Sequence, residues 1–226
     1  SETGIAPVVS HAAYLLNLAT PKDDLWEKSI DALVDELTRA EELGLLGVVF
    51  HPGAHMGTGD EAGIARIVAG INHAHARTPG YKTLTLVEGT AGQGTALGWR
   101  FEHLQAMLAG TDAPERLAFC LDTCHMFAAG YDLRTAEVYE ATMAEFDRLC
   151  GIDRLRCFHF NDAKKPLGSR VDRHDHIGTG QLGLDAFRFI LNDPRLVDVP
   201  KILETEKSED MHEDVENLAV LRGLIG

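Results

Sequence analysis

The sequence predicts an α/β fold built on a parallel sheet. Short apolar runs alternate with amphipathic helical segments along the 226 residues, and no linker, repeat or low-complexity tract divides them. Such alternation is typical of βαβ units. We count six units, whereas a closed (β/α)8 barrel has eight. A single domain is therefore expected over residues 1–226.

The predicted strands are bounded by turn or charged residues and are mostly rich in β-branched or aromatic side chains, as buried parallel strands are. They are IAPVVSH (5–11), LLGVVFH (45–51), TLTLVE (83–88), LAFCLDT (117–123), LRCFHFND (155–162) and KILETE (201–206).

The predicted helices follow these strands in turn. In the first, Ile30, Leu33 and Leu37 recur at helical spacing with charged residues between them. The helices span residues 24–43, 59–76, 99–110, 135–150, 183–193 and 210–225.

Composition narrows the class of protein. Hydrophobic residues make up 45% and charged residues 25%, as in ordinary globular proteins. No apolar stretch approaches the length of a membrane span. The four cysteines (Cys120, Cys124, Cys150 and Cys157) form no CxxC pair, which predicts reduced thiols and a cytoplasmic location. The net charge of −14 argues against nucleic-acid binding unless metal ions reverse the sign locally.

Side chains that bind metals lie at or near the end of every predicted strand, where parallel α/β folds carry their active sites. Asp172 and His174, in the loop after the fifth strand, are two residues apart and would share one side of an extended segment. Six strands ending this way predict a multinuclear site for zinc or a similar ion. The candidate ligands are His11, His51, Glu88, Asp122, His125, His159, Asp172, His174 and Glu204.

The remaining six histidines fall into two classes. Four lie in predicted helices, where packing or surface roles are expected: His73, His75, His103 and His212. His55 and His176 lie in loops on the active face, and either a packing role or a contact to the ligands or a phosphate is open for them.

Long motifs carry a resemblance to a known family. They are HAAYLLNL (11–18), FHPGAH (50–55), EGTAGQG (88–94), LDTCHMFAAGYDLRT (121–135), HFNDAKKPLGSRVDRHDHIGTG (159–180) and ILET (202–205). Through them the chain resembles the endonuclease IV family of apurinic/apyrimidinic (AP) endonucleases. The resemblance implies a TIM-barrel-type fold, with six of eight units present and the first two absent.

The resemblance also implies a three-zinc site, with Mn²⁺ or Fe²⁺ as alternatives at some positions. One ion would be bound by His11, His51 and Glu88, and another by His125, Asp172 and His174. Glu88 would also bind a further ion, shared with Asp122, His159 and Glu204. Three divalent ions outweigh these four carboxylates, so the local charge suits a phosphodiester.

The implied reaction is hydrolysis of the phosphodiester 5′ to an abasic site in double-stranded DNA, leaving a 3′-hydroxyl, with the abasic nucleotide flipped out of the helix. Glu88 and Glu204 would be catalytic, the latter also orienting the nucleophile. Tyr14 and Leu15 match positions that press on DNA at the lesion, and Arg173 would meet a phosphate. One departure is Gly89, where the family pattern has Asn.

Two alternatives stay open. A sugar isomerase or epimerase of the same barrel superfamily uses one metal and does not need the full ligand set. A non-catalytic fragment that binds zinc or DNA is the other, because two strands are missing. Open strand edges also predict oligomerisation, a gap in the barrel and weaker binding of abasic DNA.

Overall fold

The computed structural model describes residues 4–13 and 15–226, and it contains the predicted alternation of strands and helices. The described residues fall into two compact units, one within Ser1–Thr90 and Gly94–Cys120 and the other within Ala91–Gln93 and Leu121–Gly226. The expectation of a single domain stays a prediction. No helix among the described residues is long and apolar enough to cross a membrane.

The first unit holds a parallel sheet flanked by three helices. Its strands run in the order β1-β2-β3-β4, and residues of α1 such as Leu33 and Leu37 are fully buried. The elements are β1 (Val9–His11), α1 (Asp23–Leu43), β2 (Gly47–Phe50), α2 (Asp60–Arg77), β3 (Leu84–Glu88), α3 (Phe101–Gly110) and β4 (Leu117–Asp122), the last of which continues into the second unit.

In the second unit the end of β4 neighbours β5, and β5 pairs in parallel with β8. Its core contains a chain of phenylalanine rings, with Phe160 lying 5.8 Å from Phe158 and 5.4 Å from Phe187. The elements are α4 (Thr123–Ala129), α5 (Ala136–Cys150), β5 (Leu155–Phe160), β6 (Asp162–Ala163), β7 (His174–Asp175), α6 (Leu184–Leu191), β8 (Lys201–Leu203) and α7 (His212–Arg222).

The outer strands are shorter than predicted. The run at 5–11 forms a strand only from Val9, because Pro7 has no N–H to donate to a ladder. The run at 201–206 ends at Leu203, since the next N–H, that of Glu204, bonds to the side chain of Asn161. Among the described residues β1 has β2 as its only strand neighbour, and β8 has only β5.

Candidate metal centre

Three predicted ligands converge in the first unit. His11 is the last residue of β1, His51 follows β2, and Glu88 is the last residue of β3. Each residue offers a ligand atom within 4.8 Å of the other two. The Nε2 atoms of His11 and His51 lie 2.9 and 3.1 Å from the same oxygen of Glu88. We call these three residues the strand-end group.

The surroundings of the strand-end group favour a cation. The Glu88 carboxylate is 0% exposed, whereas the His11 and His51 side chains are 34% and 41% exposed. The Nδ1 of His11 lies 2.8 Å from the carbonyl of Ala12, so this nitrogen donates. A neutral His11 therefore turns its Nε2 lone pair toward the carboxylate, and a proton or metal ion between them resolves the clash. This donor set fits zinc.

A second convergence lies within the other unit. The two oxygens of Asp172 lie 3.2 Å from Nε2 of His125 and 3.1 Å from Nε2 of His174. These three residues, which we call the loop group, also offer ligand atoms within 4.8 Å of one another. The Nδ1 of His174 lies 3.1 Å from the carbonyl of Glu204, which directs its Nε2 toward the carboxylate as in His11.

The charges of the loop group are strongly coupled. Burial would raise the pKa of Asp172, but the flanking His125 and His174 hold it well below the usual range. Burial opposes the charged form of His174, yet the carboxylates of Asp172 and Asp122 raise the pKa of this imidazole to about 9. The Asp172 carboxylate therefore stabilises a positive charge, carried by a proton or a metal ion, on the imidazoles beside it.

The end of β4 explains why Asp122 and His125 lie together. Asp122 is the N-cap of α4, and its Oδ1 accepts a hydrogen bond of 2.8 Å from the N–H of His125. Asp122, His159 and Glu204 also offer ligand atoms within 4.8 Å of one another. In this set Nδ1 of His159 lies 3.0 Å from Oε2 of Glu204.

Sequence reasoning missed the role of Asn161. Its buried side-chain amide donates to Oδ2 of Asp122, and its Oδ1 accepts the N–H of Glu204 at 3.1 Å. Asn161 therefore ties together the ends of two strands that carry predicted ligands. Its position two residues after His159 was the only signal in the sequence.

His55 and His176 each make polar contacts through Nδ1. The Nδ1 of His55 accepts hydrogen bonds from the N–H groups of Gly57 and Gly59, so its other nitrogen carries the proton. His176 contacts the side-chain amide of Asn217 at 3.1 Å. Both histidines therefore organise loops.

Two of the three predicted DNA contacts, Leu15 and Arg173, are described by the structure, and both are exposed. Leu15 is 76% exposed, and Arg173 is exposed with its guanidinium donating to the carbonyl of Asp172. Tyr14 lies outside the described residues. Gly89, the departure from the family pattern, is buried and donates its N–H to the carbonyl of Cys120.

Comparison with known proteins matches residues 1–223 to the family model described as xylose isomerase-like TIM barrel. A protein named Probable endonuclease 4, from Chloroflexus aurantiacus, is 56% identical over 223 residues, which is 99% of this chain and 78% of that protein. The chain belongs to the endonuclease IV family. The predicted family and TIM-barrel-type fold are thus confirmed.

Solved structures agree with this membership. The crystal structure of endonuclease IV from Thermus thermophilus has a TM-score of 0.83 and 40% identity, covering 96% of this chain and 75% of that one. A D-tagatose 3-epimerase-like protein has a TM-score of 0.75 at 17% identity, covering 99% of this chain and 78% of that one. The latter likeness concerns the fold alone. Membership in the endonuclease IV family makes this chain a nuclease.

Proposed function

We propose that this chain is a metal-dependent DNA repair endonuclease that hydrolyses the phosphodiester 5′ to an abasic site in double-stranded DNA and leaves a 3′-hydroxyl. The observation that carries the proposal is the presence of the strand-end and loop groups in a chain of the endonuclease IV family. The nuclease would act in the cytoplasm, together with the DNA.

Nine residues would hold three Zn²⁺ ions, with Mn²⁺ or Fe²⁺ as alternatives at some positions. They are His11, His51, Glu88, Asp122, His125, His159, Asp172, His174 and Glu204. Of these, Glu88 would bind two ions. When bound, such ions act as Lewis acids on phosphate oxygens and lower the pKa of water.

The chain's own residues would bind and orient the substrate. Arg173, with its exposed guanidinium, would meet a phosphate, and the exposed side chain of Leu15 would pack against DNA at the lesion, with Tyr14 beside it in sequence. Glu204 would orient the nucleophile. Four ligand carboxylates are outweighed by three divalent ions, so an acidic chain would attract a phosphodiester at this place.

The open edges of β1 and β8 offer a surface for oligomerisation. Because β1 and β8 each have one strand neighbour among the described residues, a second copy of the chain could pair there. We propose that this chain binds abasic DNA more weakly than its longer relatives, because the outer edges of β1 and β8 are open among the described residues.

A cleavage assay with an abasic duplex, run beside a metal count by elemental analysis, tests the proposal. We expect a nick 5′ to the lesion and three ions per chain. Three ions without a nick would favour the non-catalytic fragment. One ion with sugar isomerisation would favour the isomerase alternative, which family membership already disfavours.

A further inference from the structure

Asp162 is a fully buried carboxylate that collects backbone N–H groups. Its Oδ1 accepts hydrogen bonds from Ala163 at 2.7 Å and Leu182 at 2.8 Å. Its Oδ2 accepts from Gly178 at 3.0 Å and Gly183 at 3.3 Å. In the part of the chain that the structure describes, no cationic side chain pairs with Asp162. A buried charge without a counterion depends on such bonds, which are charge-assisted.

These four bonds join the two ends of a loop. The loop runs from Ala163 to Gly183 and carries Asp172 and His174 of the loop group. The ladder of β6 with β7 places Ala163 opposite His174, and the carbonyl of Ala163 accepts the N–H of Gln181 at 2.8 Å. The carboxylate therefore fixes both the outgoing strand and the return of the loop.

Gly180 shows how tightly the loop closes on Asp162. A Cβ atom at this position would lie 2.6 Å from Oδ1 of Asp162 and 2.6 Å from the carbonyl oxygen of Ala163. Real Cβ atoms do not approach backbone this closely, so a glycine is required here. Both oxygens of Asp162 are occupied by N–H groups, which leaves this residue no role as a ligand itself.

We propose that Asp162 is a positioning residue that holds Asp172 and His174 in ligand geometry by closing the loop that carries them. The inference rests on the proposed function for the role of those two residues as ligands. In Asp162→Asn one oxygen becomes an NH₂ group that faces two N–H donors, so the loop should open without a large change in volume.

The test compares Asp162→Asn with Asp193→Asn. Asp193 is also a buried carboxylate, but its partners are Tyr139 and Arg195 rather than a ligand-bearing loop. Zn²⁺ is titrated into metal-free protein against a chelator. Asp162→Asn should lose about 10- to 100-fold in affinity for one ion, whereas Asp193→Asn should match the wild type.

Hydrogen exchange of the metal-free proteins supplies a second readout. The amides of Gly178, Leu182 and Gly183 should exchange faster in Asp162→Asn and at the wild-type rate in Asp193→Asn. Wild-type exchange and ion affinity in Asp162→Asn, or equal losses in both variants, would overturn the inference. Should Asp162→Asn fail to fold, Gly180→Ala decides by the same two readouts.

The two readouts also separate this inference from the proposed function. A wild-type chain that binds fewer than three ions contradicts the proposed metal count, yet hydrogen exchange in the metal-free proteins still tests whether Asp162 closes the loop. In Asp162→Ala, formate should restore slow exchange, because the four N–H groups would form an anion site. Failure of formate to slow exchange would contradict the proposed role of Asp162 even if the wild type binds three ions.

Discussion

The strand-end group and the loop group use the same residue types but are built by different means. The strand-end group lies at or just after the ends of strands β1, β2 and β3. The register of the parallel strands fixes the positions of these residues relative to one another. By contrast, His125 lies in α4, while Asp172 and His174 lie on a loop. The strand-end group also keeps its imidazoles partly exposed around a buried carboxylate, whereas His125 is buried.

This difference indicates which backbone hydrogen bonds must break before each group loses its geometry. The ladder hydrogen bonds between β2 and β3, which position His51 and Glu88, open only with the core, whereas a loop can open locally at a lower free energy. We therefore expect the strand-end group to keep its shape without metal. The loop group should depend on side chains that tie the backbone of its loop.

The largest effect should follow Glu88→Gln. The amide removes the charge that both His11 and His51 face, and with it the ligand proposed to bind two ions. Cleavage of abasic duplex should fall by more than about 100-fold at equal folded fraction. The control is His73→Gln, an exposed histidine in α2. Similar rates for the two variants would show that the assignment of Glu88 is wrong.

Asp172→Asn should have the next largest effect and should act on the loop group alone. Both histidine contacts of Asp172 depend on its charge, so we expect loss of one ion and an activity about 10- to 100-fold lower. Elemental analysis and the cleavage rate measure this. Asp175→Asn in β7 is the matched control, and loss of all ions in Asp172→Asn would contradict the independence of the two groups.

Asn161→Leu should have a smaller effect, because Asn161 positions ligands and binds none. The change leaves Oδ2 of Asp122 and the N–H of Glu204 without their partner at similar side-chain volume. Zinc affinity should fall about 10-fold in chelator competition, which is typical of residues that orient ligands. Unchanged affinity would mean that the strand ends hold Asp122 and Glu204 without this amide.

His75→Gln should have the smallest effect on activity, because His75 belongs to neither group. Its expected effect is on the pH dependence of stability. Burial, aided by Arg116, lowers the pKa of His75 to about 4, opposite in direction to His174. As the pH falls from about 6.5 to 4, His75 takes up a proton in the unfolded chain but stays largely neutral in the folded protein. The free energy of unfolding should therefore fall by about 3 kcal/mol over this range.

Urea unfolding at several pH values tests this contribution. His75→Gln should flatten the pH dependence, and the exposed His73→Gln should leave it as in the wild type. An equally steep loss of stability in His75→Gln would assign the pH dependence to other groups.

Much of the architecture was readable from the pattern of apolar residues. The predicted helix at 24–43 is found at Asp23–Leu43, and the predicted strand at 83–88 is found at Leu84–Glu88. The helix α4 was not predicted. All but its last residue are buried and it lacks an amphipathic stripe, so periodicity could not reveal a helix of seven residues.

By itself the sequence determined where the central strands lie and which polar residues fall at or near the strand ends, because apolar runs and the polar residues that follow them are local features. It thereby determined the set of candidate ligands. Only the tertiary structure decided which of them meet: Glu88 lies 77 residues from His11, and Asp172 lies 47 from His125. It also decided the roles of Asn161 and Asp162, since a side chain's partner among distant backbone groups depends on how strands and loops pack, which no local pattern records.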